Sequence, residues 1–117
     1  MFNLKGTTIT ISQGDTGAVD FHAKGYNFGE NDRALFTLKS QEGVTVKEGV
    51  YPLVDGTFTV YFLNADTDSL PAGTYYFDVR YIINPYYNEA GRIVDGDQVI
   101  TPRQPMTFSL MKVIGQI

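Results

Sequence analysis

The sequence contains no cysteine, which excludes disulfides, thiolate metal ligands and cysteine nucleophiles. It has a single histidine, His22, so a histidine-based zinc site or a serine–histidine triad lacks its parts. Basic charge is sparse: nine Lys and Arg residues, from Lys5 to Lys112, stand singly against thirteen acidic ones, for a net charge of −4. Counterion release at phosphates needs a concentrated positive face, and no nucleic-acid partner is expected. Long apolar runs are also missing. None approaches the roughly 18 residues of a membrane helix, and MFNLKGTTITIS lacks the apolar core of a signal peptide. The expectation is a soluble, unprocessed chain without membrane insertion. The residues present offer no nucleophile elbow, metal-ligand set or histidine dyad, so no catalytic residue, metal or cofactor is expected, and the protein reads as a non-enzyme.

What is present is alternation. Ile9 and Ile11 alternate with Thr and Ser, and Val19, Phe21 and Ala23 with Asp20, His22 and Lys24. Ala34, Phe36 and Leu38 form a third inward set; Phe58, Val60 and Phe62 a fourth; Tyr75, Phe77, Val79 and Tyr81 the face of the longest strand; Met106, Phe108 and Leu110 the last. A period of two marks half-buried strands. Asp55-Gly56, between GVYPLV and TFTVYFL, is a hairpin signal that pairs the two flanking strands, and Asp95-Gly96 suggests another hairpin near the C-terminus. Only ADTDSL, residues 65–70, reads as helical, for one turn at most.

With 117 residues the chain suits one domain, residues 1–117, able to bury roughly two-thirds of the surface its unfolded form exposes. Seven to nine short strands with Gly and Pro at the joints predict an all-β fold, an antiparallel two-sheet immunoglobulin-like β-sandwich. Leu70, the Pro-Ala-Gly corner ending at Gly73, and Tyr75 resemble a tyrosine corner, in which a hydroxyl bonds to backbone just upstream as the chain changes sheets. The role of Leu70, Gly73 and Tyr75 is structural.

ISQGDT at 11–16, the Asp-Gly turn into TFTVYFL, and ADTDSLPAGTYYFDVR at 65–80 together resemble the N-terminal immunoglobulin-like domain of phage baseplate upper proteins and related prophage tail proteins. The resemblance spans residues 9 to about 83. It implies a virion tail component, made in the bacterial host cytoplasm, that holds tail, baseplate or host-binding parts in place without catalysis. In that family the domain usually opens a longer chain. This sequence ends at Ile117, which fits a small stand-alone accessory protein or a piece of a longer one. Residues 81–102 also form a longer hairpin-like excursion than the pattern requires.

Each candidate site has a plain alternative. His22 falls on the outward phase of its strand. Asp66 with Asp68, and Asp95 with Asp97, could offer oxygens to calcium, but aspartates before Thr, Ser and Gly ordinarily bond their own backbone in turns. Asp78 and Arg80 share the face opposite Tyr75 and Phe77; on a solvated face such a pair contributes less than about 1 kcal/mol. Tyr61, Tyr76 and Ile82 lie off the core phases and are expected to be partly exposed. The cluster Pro85-Tyr86-Tyr87-Asn88 suits a protein interface or sugar stacking, or else a loop folding its tyrosines over the sheet edge. The expected function is a phage or prophage virion structural protein working by protein–protein assembly with other tail or baseplate proteins, or as a homo-oligomer. The alternative is a carbohydrate- or host-surface-binding module on the same scaffold.

Overall fold

The computed structural model describes residues 2–5 by their backbone and residues 8–23, 25–101 and 106–114 in full. Lys24 of the second alternating set and Pro102 at the end of the long excursion lie outside the described residues. The order is β1 (Phe2–Lys5), β2 (Thr8–Ser12), β3 (Gly17–His22), β4 (Arg33–Lys39), β5 (Thr45–Pro52), β6 (Thr57–Phe62), α1 (Asn64–Thr67), β7 (Gly73–Tyr87), β8 (Ile93–Ile100) and β9 (Met106–Met111).

Two sheets face each other as a β-sandwich. The larger runs β1-β2-β9-β7-β4-β5, with β8 also on β7, and the smaller is β3 paired with β6. The alternating sets supply the core between them: Ile9, Ile11, Ala34, Phe36, Leu38, Phe77, Val79, Phe108 and Leu110 from the large sheet, and Val19, Phe58, Val60 and Phe62 from the small one, are all buried. Burying such side chains contributes about 1.5–3 kcal/mol each. Phe21 stacks on Phe58 at 5.2 Å and tilts against Phe36 at 6.1 Å, so aromatic contacts join the two sheets.

Three features depart from the sequence expectation. The ladder between β2 and β9 is parallel, Thr8–Ser12 running beside Thr107–Met111, whereas the remaining pairs are antiparallel. Asp55-Gly56 does make a two-residue turn, with φ of 52° and 75° and two 3.0 Å bonds between Val54 and Thr57. Those angles are what a type I′ turn requires. The pairing stops there, because β5 joins β4 in the large sheet and β6 joins β3 in the small one. The turn fixes the reversal, but Val19 and Phe21 pair with Val60 and Phe58 so that both strands bury their apolar faces.

Asp95-Gly96 is not a turn. Both residues lie inside β8, opposite Tyr86 and Pro85, and the reversal sits at residues 88–92. Asn88 organises it: its Oδ1 accepts from the N–H groups of Ala90 and Arg92, both at 3.0 Å, while Gly91 takes φ 79°. Gly96 serves another purpose. A Cβ there would collide with the Ile82 methyl and come within 2.9 Å of the Ile83 carbonyl. This close approach also explains why Ile82, expected to be partly exposed, is buried: β8 covers it where Gly96 leaves room.

Candidate functional site

Two of the three sequence stretches that carry the resemblance, ISQGDT and ADTDSLPAGTYYFDVR, meet at one corner of the sandwich. The Gly14 N–H donates to Oγ1 of the fully buried Thr67 at 2.9 Å, and the Asn64 amide donates to the Gly14 carbonyl at 2.8 Å. Gln13 Nε2 donates to the Leu70 carbonyl at 2.7 Å, while its Oε1 accepts from the Val113 N–H at 3.1 Å. Gly14 is required because its φ is 79°. Asp66 closes the first turn of α1: its Oδ2 accepts from the Leu63 N–H at 2.7 Å and pairs with Lys47 Nζ at 3.1 Å. Beyond α1, the Tyr75 hydroxyl donates to the Pro71 carbonyl at 2.6 Å. That bond defines a tyrosine corner, with Leu70 half-buried beneath it and Gly73 at φ 146°.

At the other end, the second half of β7 and β8 form a hairpin that departs from the regular sheet. Its root is Asn84, whose φ is 48°. Asp32, 6% exposed, holds it: one carboxylate oxygen accepts from the Asn84 N–H at 2.8 Å and the other from the Gly29 N–H at 2.6 Å. The tip folds towards β5, where Arg92 contacts the Glu48 carboxylate at 3.2 Å and 3.5 Å. Between tip and sheet runs a groove of about 450 Å³. Leu35, Thr37, Glu48 and Val50 line the sheet side, and Tyr87 and Ile93 the hairpin side.

The hairpin does not place Pro85, Tyr86, Tyr87 and Asn88 on one surface. Pro85 is buried and Asn88 builds the turn. The β7–β8 ladder shifts register between Tyr86 and Tyr87, and these two residues, both about half exposed, serve different faces. Tyr87 lines the groove. The Tyr86 hydroxyl donates to Asp97 Oδ1, and Asn84 Nδ2 donates to Asp97 Oδ2 at 2.9 Å. These two bonds, the Tyr86 bond foremost, hold the Asp97 carboxyl below the ordinary aspartate range, and the same bond to Asp97 raises the Tyr86 phenol.

The remaining candidates are dispersed. His22 is exposed, with Nδ1 2.7 Å from Thr57 Oγ1. Asp95 Oδ1 accepts from the Gly96 N–H at 2.8 Å. Arg80 Nε donates to Thr101 Oγ1 at 3.1 Å, and among the described residues it forms no ion pair with Asp78. Tyr61 and Tyr76 are exposed. Among the described residues no group of three His, Asp or Glu is placed to hold a metal, and no helix is long and apolar enough to cross a membrane. Asp32, Glu48 and Arg92 carry the hairpin's anchors but drew no notice in the sequence. Their partners lie 44 to 52 residues away, so no local pattern marks them.

Chemically, the groove offers an aromatic ring and two aliphatic walls beside an ion pair, which suits contact with another surface. Compared with family models, curated proteins and solved structures, the chain matches none.

Proposed function

We propose that this chain is a phage or prophage virion structural protein, a tail or baseplate component that acts by assembly with other tail proteins and without catalysis. The observation that carries the reading is the interlocked corner. Gln13, Gly14, Thr67 and Leu70 belong to the motifs on which the resemblance to baseplate proteins rests, and each makes a hydrogen bond that fixes one segment against another, with Asn64 beside them bonding to the Gly14 carbonyl. Motif residues spent on rigidity suit a part whose work is to hold fixed surfaces. The groove beside Tyr87 is the surface this reading assigns to a neighbouring subunit, and symmetric repetition would multiply its modest contacts. The test is co-expression with the proteins encoded by the flanking reading frames. The reading expects a complex that survives size exclusion. Elution of this chain alone from every such pairing would contradict it.

The second reading is a carbohydrate-binding module, favoured by the exposed Tyr87 ring next to the Glu48–Arg92 pair. An aromatic face with adjacent polar groups suits a sugar ring. A glycan array probed with wild type and Tyr87→Ala tests it: signal lost in the variant supports the reading, and silence from wild type sinks it.

A further inference from the structure

The outer edge of β6 is open except at its C-terminal end, where Lys47 lies over the Phe62 ring and pairs with Asp66. Thr57 exchanges two backbone bonds with Val54, so its N–H and C=O point away from β3. Gly56, one residue earlier, points the other way, its carbonyl accepting from Ala23 N–H at 3.0 Å. Backbone direction alternates along an antiparallel strand, so Thr59 and Tyr61 also present their N–H and C=O outward. Among the described residues no strand pairs on that side. The result is a short row of free donors and acceptors.

Other edges of the fold carry guards of the kind that deter strand addition. β5 has Lys47, Glu48 and Pro52, with a register shift in its ladder at Leu38/Lys39, and β8 has Asp95 and Asp97. The β6 sequence, TFTVYF, has no charge, glycine or proline. Beside it lies a groove of about 390 Å³ lined by Tyr51, Pro52, Val54, Thr57, Phe58 and Thr59, none of them ionised at neutral pH. Val54, Tyr61 and Leu63, at 71%, 64% and 61%, are among the most exposed large apolar residues of the molecule and flank the same edge.

The roof of this space is β5. The ring of Phe62 meets Phe36 of β4 edge-on at 6.1 Å, and that of Phe58 tilts against Tyr51 of β5 at 5.3 Å. Phe58 also meets Tyr81 of β7 at 6.0 Å and Phe62 meets Phe108 of β9 at 5.4 Å, so the inward rings of β6 lie beneath β4 and β7, while Tyr51 and Pro52 of β5 line the groove beside it.

We propose that this edge accepts one extended segment of a partner protein, which adds a third strand to the small sheet beneath β5. Main-chain bonds to Thr59 and Tyr61 supply the attraction, and alternate side chains enter the groove against Tyr51 and Phe58. The segment is uncharged at its inward positions, because a charge facing this lining would be buried without a partner. A second copy's β6 does not fit: twofold pairing would carry that copy's β5, which lines the groove beside its own β6, into the layer already filled by β4 and β5. The occupant is thus a tail or a loop strand without a sheet above it. This inference does not depend on the virion reading.

The test follows backbone amide exchange of the full chain by NMR with a capped peptide of alternating valine and threonine, lysine at each end. Its partner probe is the same peptide N-methylated along one edge, which cannot pair. The expected result is exchange at Thr59 and Tyr61 slowed about tenfold or more by the first peptide and unchanged by the second. Thr59→Pro should abolish the protection at Tyr61 while the Val60 amide, directed at β3, stays protected. Equal effects of the two peptides, or no effect of either, would overturn the proposal whether or not the variant folds. So would Thr59 and Tyr61 amides protected without peptide, since the edge would then be closed by this chain or, where protection grows with protein concentration, by a second copy.

Discussion

The corner that joins Gln13 and Gly14 to residues 64–75 and the hairpin that carries Tyr86 and Tyr87 are both built around turns, but they secure their polar groups in different settings. At the corner the central acceptor is buried and most others are part-buried: Thr67 is fully enclosed, and the buried Tyr75 reaches the Pro71 carbonyl from the core side. In the hairpin only the root is so held, by Asp32; the tip rests on an ion pair whose side chains are 69% and 47% exposed. Water competes more strongly with the second kind of contact than with the first. The corner therefore sets the rigidity of the sandwich, and the hairpin tip is left free to adjust against another surface.

Variants that weaken one region at a time would sharpen this contrast. The largest effect is expected from Asp32→Ala, which removes the buried carboxylate that accepts, in part-buried bonds, from the N–H groups of Gly29 and Asn84. It should cost about 3 kcal/mol in urea unfolding and raise exchange throughout residues 82–99. Thr67→Val removes the acceptor of the Gly14 N–H; a loss of about 2 kcal/mol is expected, felt over the whole sandwich. Tyr75→Phe removes one bond to Pro71 and should cost about 1 kcal/mol with no change in the hairpin. Arg92→Ala breaks an exposed pair and should change global stability by less than about 1 kcal/mol, while exchange at residues 88–92 rises. A variant series in which the tip mattered more to global stability than the corner would break the comparison.

Acidity gives a further handle on the hairpin. Because Asp97 titrates below its ordinary value in the folded chain, the contribution of its bonds is present above that value, 3.8, and is lost as pH falls through the lower folded value. Acid titration should loosen the hairpin face of Asn84 and Tyr86, seen as shifts of the Tyr86 ring resonances, and Tyr86→Phe should return the Asp97 titration towards its ordinary range. An unchanged Asp97 titration in that variant would contradict the assignment.

The parts of the fold visible in the sequence are those governed by near neighbours. Alternation placed Ile9, Phe36, Val60, Phe77 and Phe108 inward, as the structure has them. Asp55-Gly56 marked a reversal because both positive φ values are local requirements. The partner of the strand after it was not legible, since β6 selects β3 by mutual burial across the sandwich. Asp95-Gly96 misled for a related reason: Gly96 answers to the packing of Ile82 rather than to a turn. The site was legible only in outline. Residues 81–102 stood out as an excess excursion, and the structure forms a hairpin from 81 to 100, yet the separation of Tyr86 from Tyr87 and the anchors Asp32 and Glu48 depend on contacts far apart in the chain.

Under the proposed function the sandwich works by assembly, with the Tyr87 groove as a contact surface. Absolute mass by light scattering after size exclusion, across a wide concentration range and for wild type beside Tyr87→Asp, tests it most directly. A closed oligomer of fixed stoichiometry is expected for wild type, and dissociation in the variant. A wild-type chain that stays monomeric at every concentration, or an oligomer indifferent to the variant, would contradict it.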